Sequence, residues 1–397
     1  MHPKIGKSSW PLLLLSTITE EVRELYEPVI GENFPYVGLE HIEQESLALC
    51  GTGLSSETQS TKKVFRAGDI LFGTLRPYFR KVVRAKFDGV CSTDITVIRA
   101  KEKRDRDFLF YFIANHPFIQ YATSSSSGTR MPRAKWSHLS SIEWNIPTVG
   151  DRKKIAAILS AHDDLIENNL RRIKILEEMA QTVYREWFVK FRFPGHQKVK
   201  MVDSPMGKIP EGWEVSMVGD NITVVPRKNK IRTGDYLTEG VIPVIDQGKD
   251  FIAGYIDDTF LAYDGPLPII VFGDHTCVLK WVDFRFAVGA DGTQLIQPEY
   301  PERLPPRFLF YTLQFVPLEQ FGYQRHFKYL KEAKILIPSG NLARKFEEVV
   351  SSNTDLILNL QRQNLNLRRT RDLLLPKLIS GELDVSELDI TIPEANA

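Results

Sequence analysis

From Asp151 to Phe191 the chain has no proline or glycine, and apolar residues return every seventh position. Leu159, Ile166, Ile173, Ala180 and Trp187 form one row, with Leu176 and Val183 three places after two of them. This is the a/d spacing of a coiled-coil helix. At ~1.5 Å per residue such a helix would be roughly 60 Å long, well beyond the about three turns of an ordinary globular helix, so it needs a partner. A second pattern of this kind runs from Leu342 to Leu375, and Pro376 is expected to break or kink it. Its seam is Val350, Ile357, Asn364 and Arg371, with Asn353, Leu360, Leu367 and Leu374 at the companion positions. Polar residues interrupt both seams: His162 and Asn169 in the first, Asn353 and Asn364 in the second. Two imperfect seams of similar length predict an antiparallel coiled coil within one chain, in which polar seam residues fix register at some cost in stability. The alternative is that each helix packs separately on its own globule.

Shorter patterns fill the rest. Before the first helix, strand-like runs occur at Tyr36–Leu39, Asp69–Leu75, Lys81–Arg84 and Ile95–Ile98, with a helix-like run at Asp107–Asn115 that stops before Pro117. After it, the polar stretch 195–210 predicts a linker, and strand-like runs follow at Val241–Ile245, Ile269–Phe272 and Val278–Val282, with a helix-like run at Arg307–Phe315. The expected organisation is a globule over 1–148, a long helix over 149–194, a linker and second globule over 195–338, a second long helix over 339–380, and an acidic, loosely held tail over 381–397. Both globules are expected to be mixed α/β (α+β) domains.

The two halves are copies. One offset lays Phe72-Gly73 on Phe272-Gly273, Gly89 on Gly289, Thr93 on Thr293 and Phe108-Leu109-Phe110-Tyr111 on Phe308-Leu309-Phe310-Tyr311. A slightly shorter offset lays Ile146-Pro147 on Ile337-Pro338, Lys154 on Lys345, Asp164-Leu165-Ile166 on Asp355-Leu356-Ile357, and His162 on Asn353. A colinear set of matches spanning two domains marks an internal tandem repeat, globule–helix–globule–helix, with pseudo-two-fold symmetry expected between the copies. The change of offset predicts an insertion in the first copy near the Ser-rich loop Thr123–Gly128.

Composition adds bounds. A chain of 397 residues has room for two or more domains, and 43% hydrophobic with 25% charged residues is ordinary for a soluble protein. Cys50, Cys91 and Cys277 are scattered and lack metal spacing, which suggests reduced thiols in a cytoplasmic protein. Trp10 to Leu15 is too short an apolar run for a membrane span, so no membrane association is expected.

The motifs that could carry chemistry are incomplete. Gly6-Lys7-Ser8 lacks the upstream glycine of a phosphate-binding loop, and Pro305-Pro306 lacks the Asn or Asp that precedes the paired prolines of amino-methyltransferases. Asp274-His275-x-Cys277 has no second ligand pair nearby, and Glu332-x-Lys334 is half of a nuclease pattern. No catalytic residue and no metal ligand is predicted.

Local basic clusters are more informative than the net charge of +1. In the first globule the candidates for DNA contact are Lys62, Lys63, Arg66, Arg76, Tyr78, Arg80 and Lys81, followed by Arg130, Arg133 and Lys135. In the second they are Arg227, Lys228, Lys230, Arg232, Gln324, Arg325 and His326. Cationic side chains on loops of a sheet scaffold suit phosphate contact, while Arg and Gln can also read base edges. Each cluster alone is more often a solvated surface; their recurrence in corresponding regions of both copies favours DNA.

The sequence resembles the specificity subunits of type I restriction–modification enzymes over nearly its whole length. The resemblance rests on the repeat and on several phrases: Tyr36-Val37-Gly38-Leu39-Glu40, the stretch from Gly68 to Lys81, Trp187-Phe188-Val189, Pro210-Glu211-Gly212-Trp213, and Leu373 to Glu382. It implies two target recognition domains, each reading one half of a bipartite, gapped site in double-stranded DNA. The helices would set the gap and dock two modification subunits, adenine methyltransferases. With a ~60 Å helix and about 3.4 Å per base pair, the span is capped at roughly 17 base pairs. The resemblance also implies that the chain is not an enzyme and binds no cofactor itself. S-adenosylmethionine would sit on the modification subunits, and ATP and Mg on restriction subunits, of which two are expected. The alternative is a structural or regulatory coiled-coil DNA-binding protein outside a restriction system.

Overall fold

The structure is a computed structural model and describes residues 5–29, 31–128, 130–226, 230–318 and 325–392. It divides into two compact units. The first comprises Met1–Leu170 and Arg362–Ala397, the second Arg171–Gln361. Each unit therefore holds one globule, the N-terminal part of that globule's own long helix and the C-terminal part of the other.

In the first unit an antiparallel four-stranded sheet runs in the order Thr19–Val22, Ile95–Ala100, Ile70–Gly73, Val82–Arg84. A second, five-stranded sheet is built on Gly89–Cys91, which pairs parallel with Pro35–Val37 and antiparallel with Lys62–Phe65. The strand Ile70–Gly73 is buried throughout, as a central strand of Ile, Leu and Phe should be. Against the four-stranded sheet lies the helix Arg106–Ala114, where all residues from Asp107 to Ala114 are buried. Its core continues through Phe118, Trp136, Trp144 and Leu159, and takes in Leu375, Leu378, Ile379 and Val385 from the other end of the chain.

The second unit repeats this plan. Its four-stranded sheet has the order Ile222–Val224, Thr293–Pro298, Ile269–Gly273, Leu279–Val282. A smaller sheet pairs Ile242–Ile245 parallel with Ala287–Val288, as Pro35–Val37 pairs with Gly89–Cys91 in the first. The helix Pro306–Gln314 matches Arg106–Ala114. Its core includes Ala180, Tyr184 and Phe188 of the first long helix with Phe346 and Val350 of the second. In the interval where an insertion was expected, the first unit has the helix His116–Ser124 ahead of the short helix Trp136–Ser140; His326–Glu332 of the second unit corresponds to the latter, and residues 319–324 before it lie outside the described residues.

The first long helix spans Val149–Tyr184 and closes with a π-helical turn over Arg185–Val189. Its seam residues Leu159, Ile166, Ile173 and Ala180 are buried, and Leu176 and Val183 are half-buried. In the second helix Val350, Ile357, Leu360 and Asn364 are buried, while Leu367 and Leu374 are half-buried. The two helices pack antiparallel: Asp163 meets Arg371 and Asn169 meets Asn364 within the first unit, and Ile173 packs with Ile357 and Leu360 within the second. His162 and Asn353 are half-buried, and His162 turns its Nδ1 to the carbonyl of Ile158 on its own helix, so neither forms a polar layer of the coil.

Three expectations are corrected. Pro376 does not end the second helix, which spans Gly340–Ser380. A helical proline costs ~3 kcal/mol, but Leu375, Leu378 and Ile379 around it are buried, each contributing ~1.5–3 kcal/mol. The tail is not loose at its start: Lys154 donates to the carbonyls of Val385 (3.2 Å) and Ser386 (2.6 Å), and Lys7 pairs with Asp384 at 2.6 Å. The stretch 195–210 is not plain linker either, because Met201–Ser204 and Gly207–Pro210 form a hairpin. Its strands, MVDS and GKIP, carry no period-two alternation of apolar and polar residues that would have announced them.

Candidate nucleic-acid interface

At one end of the first globule three loops are stitched together. The loop after Ile70–Gly73 starts at Thr74, whose amide and Oγ1 both donate to the carbonyl of Asp94 in the turn before Ile95–Ala100. Arg76 N donates to Pro132 O (2.8 Å), and Ala134 N to Thr74 O (3.0 Å), which brings in the loop 125–135. Arg133 pairs with Ser127 through the backbone and with Asp94 through its guanidinium, Nε at 3.1 Å from Oδ1. Pro77–Phe79 forms a single 3-10 turn flanked by Arg76 and Arg80, both left-handed with φ of 51° and 48°. Such a conformation is unfavourable for a residue with a Cβ. Here it is held by the backbone bonds of Arg76 and, at the other end, by the burial of Arg80.

This arrangement sorts the predicted residues. Arg76, Tyr78, Arg130, Arg133 and Lys135 lie on the stitched loops and are exposed. Arg80 is a correction: it is 3% exposed, with Nε donating to Ala114 O at 2.7 Å and Nη1 to Glu45 Oε2 at 3.0 Å. A buried guanidinium at the C-terminus of the helix Arg106–Ala114 satisfies an orphan carbonyl and suits the negative end of the helix dipole. Lys62 is the second correction: it is buried, bonds Ser60 and lies 5.6 Å from the ring centroid of Tyr36, and burial lowers its pKa. Lys63 donates to Ile95 O, from one sheet to a strand of the other, and Lys81 to Leu39 O, between two connecting segments, and both are half-buried. Arg66 is exposed but belongs to the other sheet, near Glu24 and Asp88.

The second globule has the corresponding loop end. Gln247, in the loop after Ile242–Ile245, donates Nε2 to Asp291 O (2.8 Å) and accepts from His275 N at Oε1 (3.2 Å). Thr276 donates to Gln247 O at 2.6 Å, and Asp274 N to Gly292 O at 2.7 Å. Lys230 is exposed and reaches Asp291 at 2.6 Å. Arg325 and Arg232 are exposed. His326 is the third correction: it is buried, with its backbone N and Nδ1 both turned to Asp274 O, while Asp274 Oδ1 caps Phe327 N. Arg227, Lys228 and Gln324 lie outside the described residues. The structure adds Gln247, His275 and Asp291 to this end. Position in the repeat could have found them, since Gly289 and Thr293, either side of Asp291, align with Gly89 and Thr93.

The fragmentary motifs stay apart from any shared chemistry. Lys7 of Gly6-Lys7-Ser8 binds Asp384, and Asp274–Cys277 is the turn between two strands. Among the described residues no three His, Cys, Asp or Glu side chains converge as a metal site. Each unit has a cavity between its sheet and the long helices, of about 250 Å³ in the first and 240 Å³ in the second. Their walls show how the copies have diverged. Arg84, opposite Ile70, is ion-paired with Asp107 below Phe110, whereas Trp281, opposite Ile270, is covered by Arg307 at 5.3 Å. No helix among the described residues is long and apolar enough to cross a membrane.

Two copies of one α+β globule, each braced by portions of two antiparallel long helices and each ending in exposed basic and polar loops, make up the fold. A solved structure with this fold is the type I restriction–modification S subunit from M. genitalium, with a TM-score of 0.55 over 98% of this chain and 100% of that one at 16% identity. Residues 29–178 match the family model described as the type I restriction modification DNA specificity domain. The type I restriction enzyme MjaIX specificity subunit of Methanocaldococcus jannaschii is 27% identical over 94% of this chain and 91% of its own. The EcoDI specificity subunit of Escherichia coli is 29% identical over 41% and 37%. Over nearly its whole length the chain is similar to the specificity subunits of type I restriction–modification systems, and residues 29–178 carry the match to their DNA specificity domain.

Proposed function

We propose that each globule reads one half of a bipartite, gapped target in double-stranded DNA, through the loop end that carries Arg76, Tyr78, Arg130, Arg133 and Lys135 in the first and Lys230, Arg232, Gln247, His275 and Arg325 in the second. The observation that carries this reading is the recurrence of an exposed, loop-stitched polar surface at the same place in two copies of one fold. Loops of this kind vary in sequence without disturbing the sheets beneath, so the two copies can read different half-sites. Arginine and lysine supply phosphate contact and Gln, His and Arg the base-edge contact.

The paired helices set the gap between half-sites and offer matching surfaces to two modification subunits, which carry S-adenosylmethionine and methylate adenine. Two restriction subunits with ATP and Mg complete the complex in the cytoplasm. The chain has no catalytic role and holds no cofactor of its own. The test is to express the chain with its neighbouring methyltransferase gene and map methylated adenines across a genome. A gapped two-part motif is expected; methylation at an ungapped motif, or methylation unchanged when the chain is omitted, refutes the proposal.

A further inference from the structure

Two polar layers cross the helix pair in the first unit. In one, Asn169 donates Nδ2 to Oδ1 of Asn364 at 2.9 Å, and both side chains are buried. In the other, Asp163 accepts Arg371 Nη1 at Oδ1 and the Tyr111 hydroxyl at Oδ2, both at 2.6 Å, and Arg371 is buried with a further bond to Asp372. Burial and the adjoining Asp163 carboxylate push the Tyr111 hydroxyl well above its ordinary pKa, so it stays a donor.

The repeat allows each residue to be compared with its counterpart. Under the offset that lays Ile146-Pro147 on Ile337-Pro338, Asn169 corresponds to Leu360 and Asn364 to Ile173. Asp163 corresponds to Thr354 and Arg371 to Ala180. In the second unit Ile173 and Leu360 are buried together in an apolar cluster with Ile357. Thr354 and Ala180 are buried, and Tyr311, the counterpart of Tyr111, hydrogen-bonds to Thr354. One unit thus has two polar layers where the other has an apolar layer and an uncharged one.

Because each unit is completed by the other long helix, this difference discriminates between partners. If the first long helices of two copies paired with each other, Asn169 would face the second copy's Ile173 and Asp163 its Ala180. If two second long helices paired, Asn364 would face Leu360, and Arg371 would be buried opposite Thr354 with no Asp163. Every such exchange leaves a buried amide or charge without its partner, which is far costlier than the loss of a matched pair. We infer that Asp163–Arg371 and Asn169–Asn364 are a pairing code that makes the first long helix accept the second and reject a second copy of itself. The two globules are thereby held one to one, which an asymmetric target requires. The inference rests on the helix contacts and is independent of which DNA the globules read.

Each layer should favour the mixed pair by about 10-fold, and the two together by about 100-fold. The test uses the full chain with a protease site inserted in the turn at Pro205-Met206 and cleaved after folding. Isotope-labelled and unlabelled cleaved protein are mixed, allowed to exchange halves, and weighed by native mass spectrometry. Label exchange between copies shows that equilibrium has been reached, in mild denaturant where needed. Only one-to-one pairs of first and second halves are expected, with like pairs at about 1% or less. The variant Asp163→Thr, Asn169→Leu, Asn364→Ile, Arg371→Ala erases the code by copying the second unit's residues, and should yield like pairs near the random proportion. Like pairs equally abundant in both proteins, or one-to-one pairs alone from the variant, overturn the inference. Should the fourfold variant not fold, Asn169→Leu with Asn364→Ile is read by the same criterion.

Discussion

Replacing Arg80 by methionine separates a buried structural arginine from the exposed Arg76, four residues away, which is assigned to the proposed DNA surface. Arg80 is buried and supplies the donor to Ala114 O, the last carbonyl of the helix Arg106–Ala114. Methionine keeps much of the volume but leaves that carbonyl unpaired, a cost of about 1–3 kcal/mol. The ion pair with Glu45 adds little, because the Glu45 side chain is largely in water. A loss of about 2 kcal/mol is therefore expected, or a fall of about 4–8 °C in the melting of a unit this size. A local reporter sits alongside. Burial and then the Arg80 charge hold the His116 pKa below its ordinary value, so Arg80→Met should move the His116 titration upward in NMR. Arg76→Ala should behave in the opposite way. Arg76 is exposed, so melting should stay within about 0.5 kcal/mol. DNA binding by the assembled complex should weaken, with a salt dependence shallower by about 0.9 in log–log slope if one phosphate contact is lost. Unchanged melting and His116 titration in Arg80→Met, together with weakened DNA binding, would refute the reasoning and restore Arg80 to the interface.

Other expectations follow from the same geometry. Lys280 is buried, its Nζ donates to the carbonyl of Asp246 at 2.8 Å, and burial lowers its pKa to about 8. Between that value and the 10.5 of a free lysine the unfolded chain binds more protons than the folded one. Stability should therefore rise with pH across that window by about 3 kcal/mol, be fully present above it and be lost as pH falls to 8. Urea unfolding of the native chain and of Lys280→Met should diverge in slope there, and parallel pH profiles would contradict the assignment. Gln247→Ala should relax the second half-site in methylome mapping while leaving the first unchanged; a change confined to the first half-site would place the reading surface elsewhere. Inserting four residues after Leu170 and four after Gln361, about one turn in each helix, should lengthen the gap by about two base pairs with both half-sites intact. Altered half-sites with an unchanged gap would end the spacer reading.

The repeat and the helix periodicity were legible because they are written in local order. A heptad of apolar residues declares a long helix that must be covered, and a colinear set of matches declares two copies. The strands Ile70–Gly73 and Ile269–Gly273 and the helices Arg106–Ala114 and Pro306–Gln314 fall within a residue or two of the patterns that announced them. Even the polar seam positions Asn169 and Asn364 could be named from spacing alone.

What the chain order could not reveal was the partner of each polar group. Lys62, Arg76, Arg80 and His326 are alike in sequence, basic and set near aromatics, yet only Arg76 is exposed. Two of the others are decided by acceptors distant in sequence: Ala114 and Glu45 for Arg80, and Asp274 for His326. The same holds for the seam. Spacing predicts that Asn169 faces another helix, but only the antiparallel register brings it to Asn364 and brings Asp163 to Arg371. Hydrophobic burial depends on a residue's own chemistry and repeats with local geometry, so sequence by itself determines it well. Hydrogen bonds and ion pairs depend on a second group at a fixed distance and angle, and only the tertiary structure supplies that group.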